Sequence, residues 1–254
     1  MTTLSAIILA GWYATILAKA VCLAVLLRRH LAARYLAFSI LLAVGLAKSL
    51  WLAWSFMTAG NHGYRSAWIA SQCLAIVLYA AVTLEAFYLQ ARHFPGIRWF
   101  AITLATMFTA ISAVLTVATA GIGLSHWSGL AQRLVLMTRY YTLACLVMIV
   151  LAWSFFRIFP NVRLRENVRC HVRMLALLLL GEVLVTGSAY ATAGAWMPAA
   201  QLVAAVWPLA CYLAWSVKMR RAGEVFEGIR VEPVLTAQEI RFIRETVQRE
   251  ERLP

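Results

Sequence analysis

Seven long apolar runs divide this chain, and most of its polar residues gather in the short gaps between them. A run of about 20 apolar residues is long enough for a helix to cross the roughly 30 Å hydrocarbon core of a bilayer. The pattern predicts spans at 5–27, 33–57, 67–90, 97–121, 130–156, 174–196 and 197–217. The gaps after the second and fourth spans, Thr58–Gly63 and Gly121–His126, are short and rich in Gly, Asn, His and Ser. Neither is large enough to form a domain, so a ligand from that side is expected to enter between helices or through the lipid. The sixth and seventh spans meet almost directly at Trp196-Met197-Pro198, where proline suits the first turn of a helix, and they are expected to form a tight hairpin.

Beyond Arg221 the pattern changes to charged and polar. From Arg220 onward the chain holds seven Arg and seven Glu residues. Thr236-Ala237-Gln238-Glu239 has the form of a capping box, and Ile240, Ile243 and Val247 fall on one helical stripe. The expected organisation is a seven-helix transmembrane domain over 1–218 and a tail over 219–254, with a short amphipathic helix near 237–250. That helix is expected to lie under the bundle, on the inner leaflet or against a cytoplasmic protein partner.

Composition supports the bilayer as solvent. The chain is 63% apolar and 13% charged, and its mean hydropathy is +0.78, leaving too little polar cover for a water-soluble domain. Charge then sets the sidedness. Of 23 Lys and Arg residues, 18 fall in the gaps after the first, third and fifth spans or after the last, while the opposite gaps hold Arg65 and Arg133. Cytoplasmic loops collect Lys and Arg, so the N-terminus is predicted outside and the C-terminus in the cytoplasm, in a cell inner membrane. The net charge of +13 is assigned to this topology and to anionic membrane lipids rather than to nucleic acid, because no basic helix or aromatic platform accompanies it. Ala18-Lys19-Ala20 has the small-x-small form of a signal cleavage site, but the preceding stretch lacks a basic n-region and reads as a first helix. The five cysteines show no CxxC spacing and read as packing residues. Leu-Ala-Trp-Ser occurs at 52–55, 151–154 and 213–216, each near a predicted membrane boundary, and reads as an interfacial anchor.

Five ionisable residues disobey the pattern by lying inside spans: Lys19, Lys48, Glu85, Arg139 and Glu182. A charge at a helix centre costs about 2.5–3.5 kcal/mol on insertion scales, so each is expected to have a partner or a task. Depth along the helices sorts them into two layers. Toward the cytoplasm lie Lys19, Glu85 and Glu182, which form a charge pair or, with a carboxylate left over, a proton relay. Toward the outside lie Lys48 and Arg139, with no acidic residue at their depth. Trp51, Trp54, Tyr140, Tyr141 and Gln72 surround that level with flat apolar walls and hydrogen-bonding tips, which suits a small or lipid-like anion. The competing reading is snorkelling of both cations to the headgroups. Pro208, Gly181 and Gly187 make the last two helices the expected place for movement.

Several chemistries lack their residues. No lysine lies deep in the last span, so a retinal Schiff base is not expected. His30, His62, His93, His126 and His171 sit in gaps or at span ends, where they do not suit haem within the bilayer. The chain has no Asp, no HExxH, no GxSxG and no P-loop. No catalytic site, metal or cofactor is expected, and the chain is not read as an enzyme. Tyr64-Arg65-Ser66-Ala67-Trp68, running on to Leu84-Glu85-Ala86-Phe87 and then Phe94-Pro95, resembles uncharacterised multi-helix bacterial integral membrane proteins with an aromatic start and a late glutamate in one helix. That resemblance covers about two helices and implies no activity. Three functions remain: a sensor or signal-transmitting subunit that binds an anion in the bundle, a small-solute or proton-coupled transporter, and a scaffold subunit with membrane-complex partners.

Overall fold

The computed structural model describes residues 3–92, 95–122, 130–158, 165–191 and 197–224. Among these residues every regular element is helical: α1 Thr3–Arg28, α2 Leu36–Ala91, α3 Pro95–Ile122, α4 Leu130–Ile158, α5 Glu166–Ala191, α6 Met197–Lys218 and a 3-10 turn at Ala222–Glu224. Four described stretches are long and apolar enough to cross a membrane: Leu9–Arg28, Leu36–Ser55, Ser66–Ala91 and Met137–Phe155. Shorter apolar helical stretches lie at Ala105–Leu115 and Leu202–Lys218. Helices suit such sequences because hydrocarbon offers no partner for peptide N–H and C=O groups, which must bond within their own segment.

α2 has 56 residues but consists of two legs, because Gly60 breaks it at φ 59° and ψ −148°. Glycine tolerates that backbone conformation, whereas a side chain there would be strained. Ala37 and Phe38, at the start of α2, donate their N–H groups to Glu85, near its end. The legs therefore lie side by side and run in opposite directions. The loop expected at Thr58–Gly63 contracts to this one break.

α5 begins at Glu166, eight residues before the predicted span start at 174. Its first two turns are charged and read as loop on hydropathy, but they carry a helical stripe. Asn167, Val168, His171, Val172 and Leu175 are buried, while Arg169 and Arg173 point out. The helix extends beyond the apolar segment and packs there.

α1 lies chiefly against α6, α6 against α5, and α4 against α2 and α5, with α3 on the outside against α2 and α4. The α1–α6 crossing is close. A methyl group at Gly11 would stand 3.0 Å from Cβ of Ala205, and the Thr15 hydroxyl donates to the Ala205 carbonyl at 2.8 Å. Small residues and hydroxyls of this kind let membrane helices approach. The outward faces are apolar, with Leu17, Leu50, Val77, Val114, Leu151 and Val217 each more than half exposed.

The largest fully buried side chains among the described residues, Trp215, Tyr35 and Phe38, gather at the end where α1 turns into α2. Trp215 is wholly buried there, its ring centroid 4.4 Å from that of Phe38. This corrects the anchor reading of the Leu-Ala-Trp-Ser repeat: Trp54 is exposed and Trp153 half-buried, whereas the third copy is core. Packing also continues past 218, since Met219 and Gly223 are buried. The expected helix near 237–250 lies outside the described residues.

Candidate functional site

Three charged residues come within electrostatic reach of one another in the apolar part of the bundle, each brought by a different helix. Lys19 comes from α1, Lys48 from the first leg of α2 and Glu182 from α5. The charges of both lysines act on Glu182, and the lysines act on each other. Lys19 Nζ lies 5.7 Å from the ring centroid of Tyr212 on α6, within the range of a cation–π contact. It also packs on Gly45, one turn before Lys48, where an added methyl group would stand 3.9 Å from Nζ. Tyr79, on the second leg of α2, and Tyr212 both lie within electrostatic reach of Glu182. The cluster thus draws on five rods and sets two ammonium groups against one carboxylate.

The helix next to it is locked by an indole. Trp207 Nε1 donates to the Leu177 carbonyl on α5 at 2.7 Å. The indole occupies the space that a Cβ at residue 181 would need, so Gly181 is required for the fit. The lock sits one residue from Glu182.

These positions regroup the residues expected from the sequence. Depth alone separated Lys48 from Glu182, but packing of α2 on the bundle brings their charges together. Glu85 has a different task. Its Oε1 accepts the N–H of Ala37 at 2.7 Å and its Oε2 that of Phe38 at 3.0 Å. Those N–H groups have no partner inside their own helix, and Tyr35, at the cap position, supplies no side-chain bond. Glu85 therefore caps α2 from its opposite end, and its negative charge suits a helix N-terminus. Arg139 is half-buried on α4 and engaged in an interaction of its own. Trp51, Trp54 and Tyr140 are exposed and turn away from the core, while Tyr141 and Gln72 turn inward. Neighbours in depth are separated by azimuth, because successive helical residues point about 100° apart.

A second polar assembly closes the basic end, built on arginines that the charge pattern assigns to topology alone. Glu224 is its centre. Oε1 accepts from Tyr35 Oη at 2.7 Å and from Asn167 Nδ2 at 2.8 Å. Oε2 pairs with Arg34 Nε at 2.7 Å and with Arg165 Nη1 at 3.6 Å. Asn167 also donates to the Arg220 carbonyl at 2.6 Å and accepts the Arg220 N–H at 3.0 Å. Arg29 donates to the carbonyls of Ser216 and Met219 at the end of α6, where a cation offsets the helix dipole. Arg221 Nε returns a bond to the Arg29 carbonyl at 3.0 Å. The segment after α6 is thereby tied to α1, α5 and the intervening turn. The one available sequence signal was Glu224, an acid three residues after a pair of arginines, and that is weak.

His171 lies beside this assembly, fully buried, with ring centroids 5.2 Å from Tyr35, 5.0 Å from Phe38 and 5.9 Å from Trp215. Neither ring nitrogen has a hydrogen-bond partner among the described residues. It precedes the predicted span start, and burial pushes its pKa down to about 3, so the ring is neutral. No family model, curated protein or solved structure matches the chain.

Proposed function

We propose that this chain is a bacterial inner-membrane sensor or signal-transmitting subunit that binds a small or lipid-like anion within its helix bundle. In this reading it crosses the membrane seven times, with its N-terminus outside, and acts by binding rather than by bond-making chemistry. The observation that carries the reading is the cluster of Lys19, Lys48 and Glu182, in which two cations share one carboxylate. A surplus cation in low dielectric attracts a counter-charge, and the nearby rings of Tyr79 and Tyr212 suit an amphipathic one.

Transmission follows from the helices that hold the cluster. α1 carries Lys19 and also Arg29, α5 carries Glu182 and also Asn167, and α6 carries Tyr212 and leads into Arg220. Glu182 and Asn167 are 15 residues apart, about 22 Å along the helix. A shift of α5 on anion binding therefore reaches the Glu224 assembly, which a cytoplasmic partner would read.

The test is mass spectrometry of small acids and lipids that stay bound through purification, for the wild type and for K19Q/K48Q. The reading expects an anion that the double variant loses. Identical bound species in both proteins would sink it. A second reading, proton-coupled transport, is favoured by the placement of Glu182 between two lysines and two tyrosines. It requires proton flux in proteoliposomes that E182Q abolishes, whereas the sensor reading expects no flux in either protein.

A further inference from the structure

Four guanidinium groups converge on one open groove at the basic end of the bundle. Arg29, Arg34, Arg92 and Arg221, with His30, line a space of about 560 Å³, a size typical of small-molecule sites. Three segments distant in sequence supply them: the α1–α2 turn, the end of α2 and the stretch after α6. Among the described residues one carboxylate, Glu224, shares the groove. Its oxygens are already engaged by Tyr35, Asn167, Arg34 and Arg165.

Topology explains why arginines lie on this side of the membrane, but not why three segments deliver them to one groove. Helix C-termini attract cations, and Arg29 answers that need at the end of α6. Arg34 holds Glu224. Arg221 uses Nε for the Arg29 carbonyl, and its terminal nitrogens make no hydrogen bond among the described residues. The Arg92 guanidinium makes neither a hydrogen bond nor an ion pair among the described residues. Among the described residues the groove thus presents forked donors on Arg92 and Arg221 without matching acceptors.

We propose that this groove binds a phosphate group, with Arg92 and Arg221 as the forks that meet its oxygens. A guanidinium plane matches two phosphate oxygens at once, which an ammonium group does not. The height is suitable, because the apolar stretches Leu9–Arg28 and Ser66–Ala91 end at this level, where phospholipid phosphates lie. The diester of an anionic lipid headgroup and a free phosphate in solution offer the same chemistry. This site is distinct from the Lys19–Lys48–Glu182 cluster.

The test uses the full-length protein in mild detergent as wild type, R92Q, R92K and R221Q. Native mass spectrometry compares retained phosphatidylglycerol with phosphatidylcholine. Thermal unfolding compares inorganic phosphate with chloride at equal ionic strength. A lipid headgroup site predicts about fivefold weaker phosphatidylglycerol retention in R92Q, an intermediate loss in R92K and unchanged phosphatidylcholine. A soluble-phosphate site predicts a phosphate-specific rise in the unfolding temperature of the wild type that R92Q lacks. R221Q provides the same two readouts if R92Q does not fold. Equal phosphatidylglycerol retention in wild type and variants, together with no phosphate-specific stabilisation, overturns the proposal.

Discussion

Replacing Glu85 with Gln separates a helix cap from a carrier of charge. Both carboxylate oxygens are in use, accepting N–H groups of Ala37 and Phe38 at 2.7 and 3.0 Å. Glutamine keeps the length but offers one oxygen and one NH2 group, so one of the two backbone donors then faces another donor. A buried donor left unsatisfied costs about 1–3 kcal/mol, and loss of the negative charge at a helix N-terminus adds roughly 0.3–1 kcal/mol. The variant should therefore lose about 1.3–4 kcal/mol, the combination of those two penalties. Glu85→Asp, one methylene shorter, should also be destabilised, because it cannot reach both groups. Glu166→Gln, exposed in the first turn of α5, is the control: it loses a helix-dipole charge but no buried bond and should cost only about 0.3–1 kcal/mol. Equilibrium unfolding in mixed micelles, followed by tryptophan fluorescence, measures all three. If Glu85→Gln unfolds within 0.5 kcal/mol of the wild type, Glu85 is not the cap of α2 and the account of the folded-back α2 loses its main support.

Other perturbations reach different parts of the bundle. Gly181→Ala should cost about 1–3 kcal/mol by overpacking against Trp207, and Trp207→Ala in the same chain should relieve that collision, which a double-mutant cycle will show as coupling. Glu224→Ala should cost about 3–5 kcal/mol, because it strands Arg34 as well as the Tyr35 and Asn167 donors; unchanged unfolding would contradict the role given to the assembly. His171 is neutral when folded, with its pKa pushed down to about 3, but takes up a proton near pH 6.5 once unfolded. The stability it contributes is present above pH 6.5 and is lost as pH falls toward 3, reaching about 2 kcal/mol by pH 5. His171→Phe should flatten that part of the pH profile, and an unchanged profile would contradict the burial argument.

The apolar runs made the helices legible, because backbone in hydrocarbon has few alternatives to a helix. The expected ends agree with the observed elements to within a few residues wherever an apolar run ends a helix, as at Arg28, Ala91 and Ile158. They miss where the helix outlasts the run. The first two turns of α5 are charged, yet the spacing of Asn167, Val168, His171 and Val172 carried a 3.6-residue signal that hydropathy averages away. Charge partners were less legible still. A sequence gives depth along a rod but not the rod's position or rotation, so Lys48 was grouped with Arg139 instead of Glu182. Trp51 and Tyr140 were grouped with them as well, although they turn outward. Glu85 falls among relay residues because its donors are main-chain N–H groups 47 and 48 residues away. No side-chain pattern announces such a bond.

The convergence of Lys48 and Lys19 on Glu182 is the central claim, and the chain's lysine content allows a direct measurement. It has three lysines, Lys19, Lys48 and Lys218, so uniform 15N-lysine labelling gives three side-chain signals by solid-state NMR in proteoliposomes. Glu182→Gln should shift the Lys19 and Lys48 signals and leave Lys218, at the exposed end of α6, in place. A Lys48 signal that does not move would contradict the cluster.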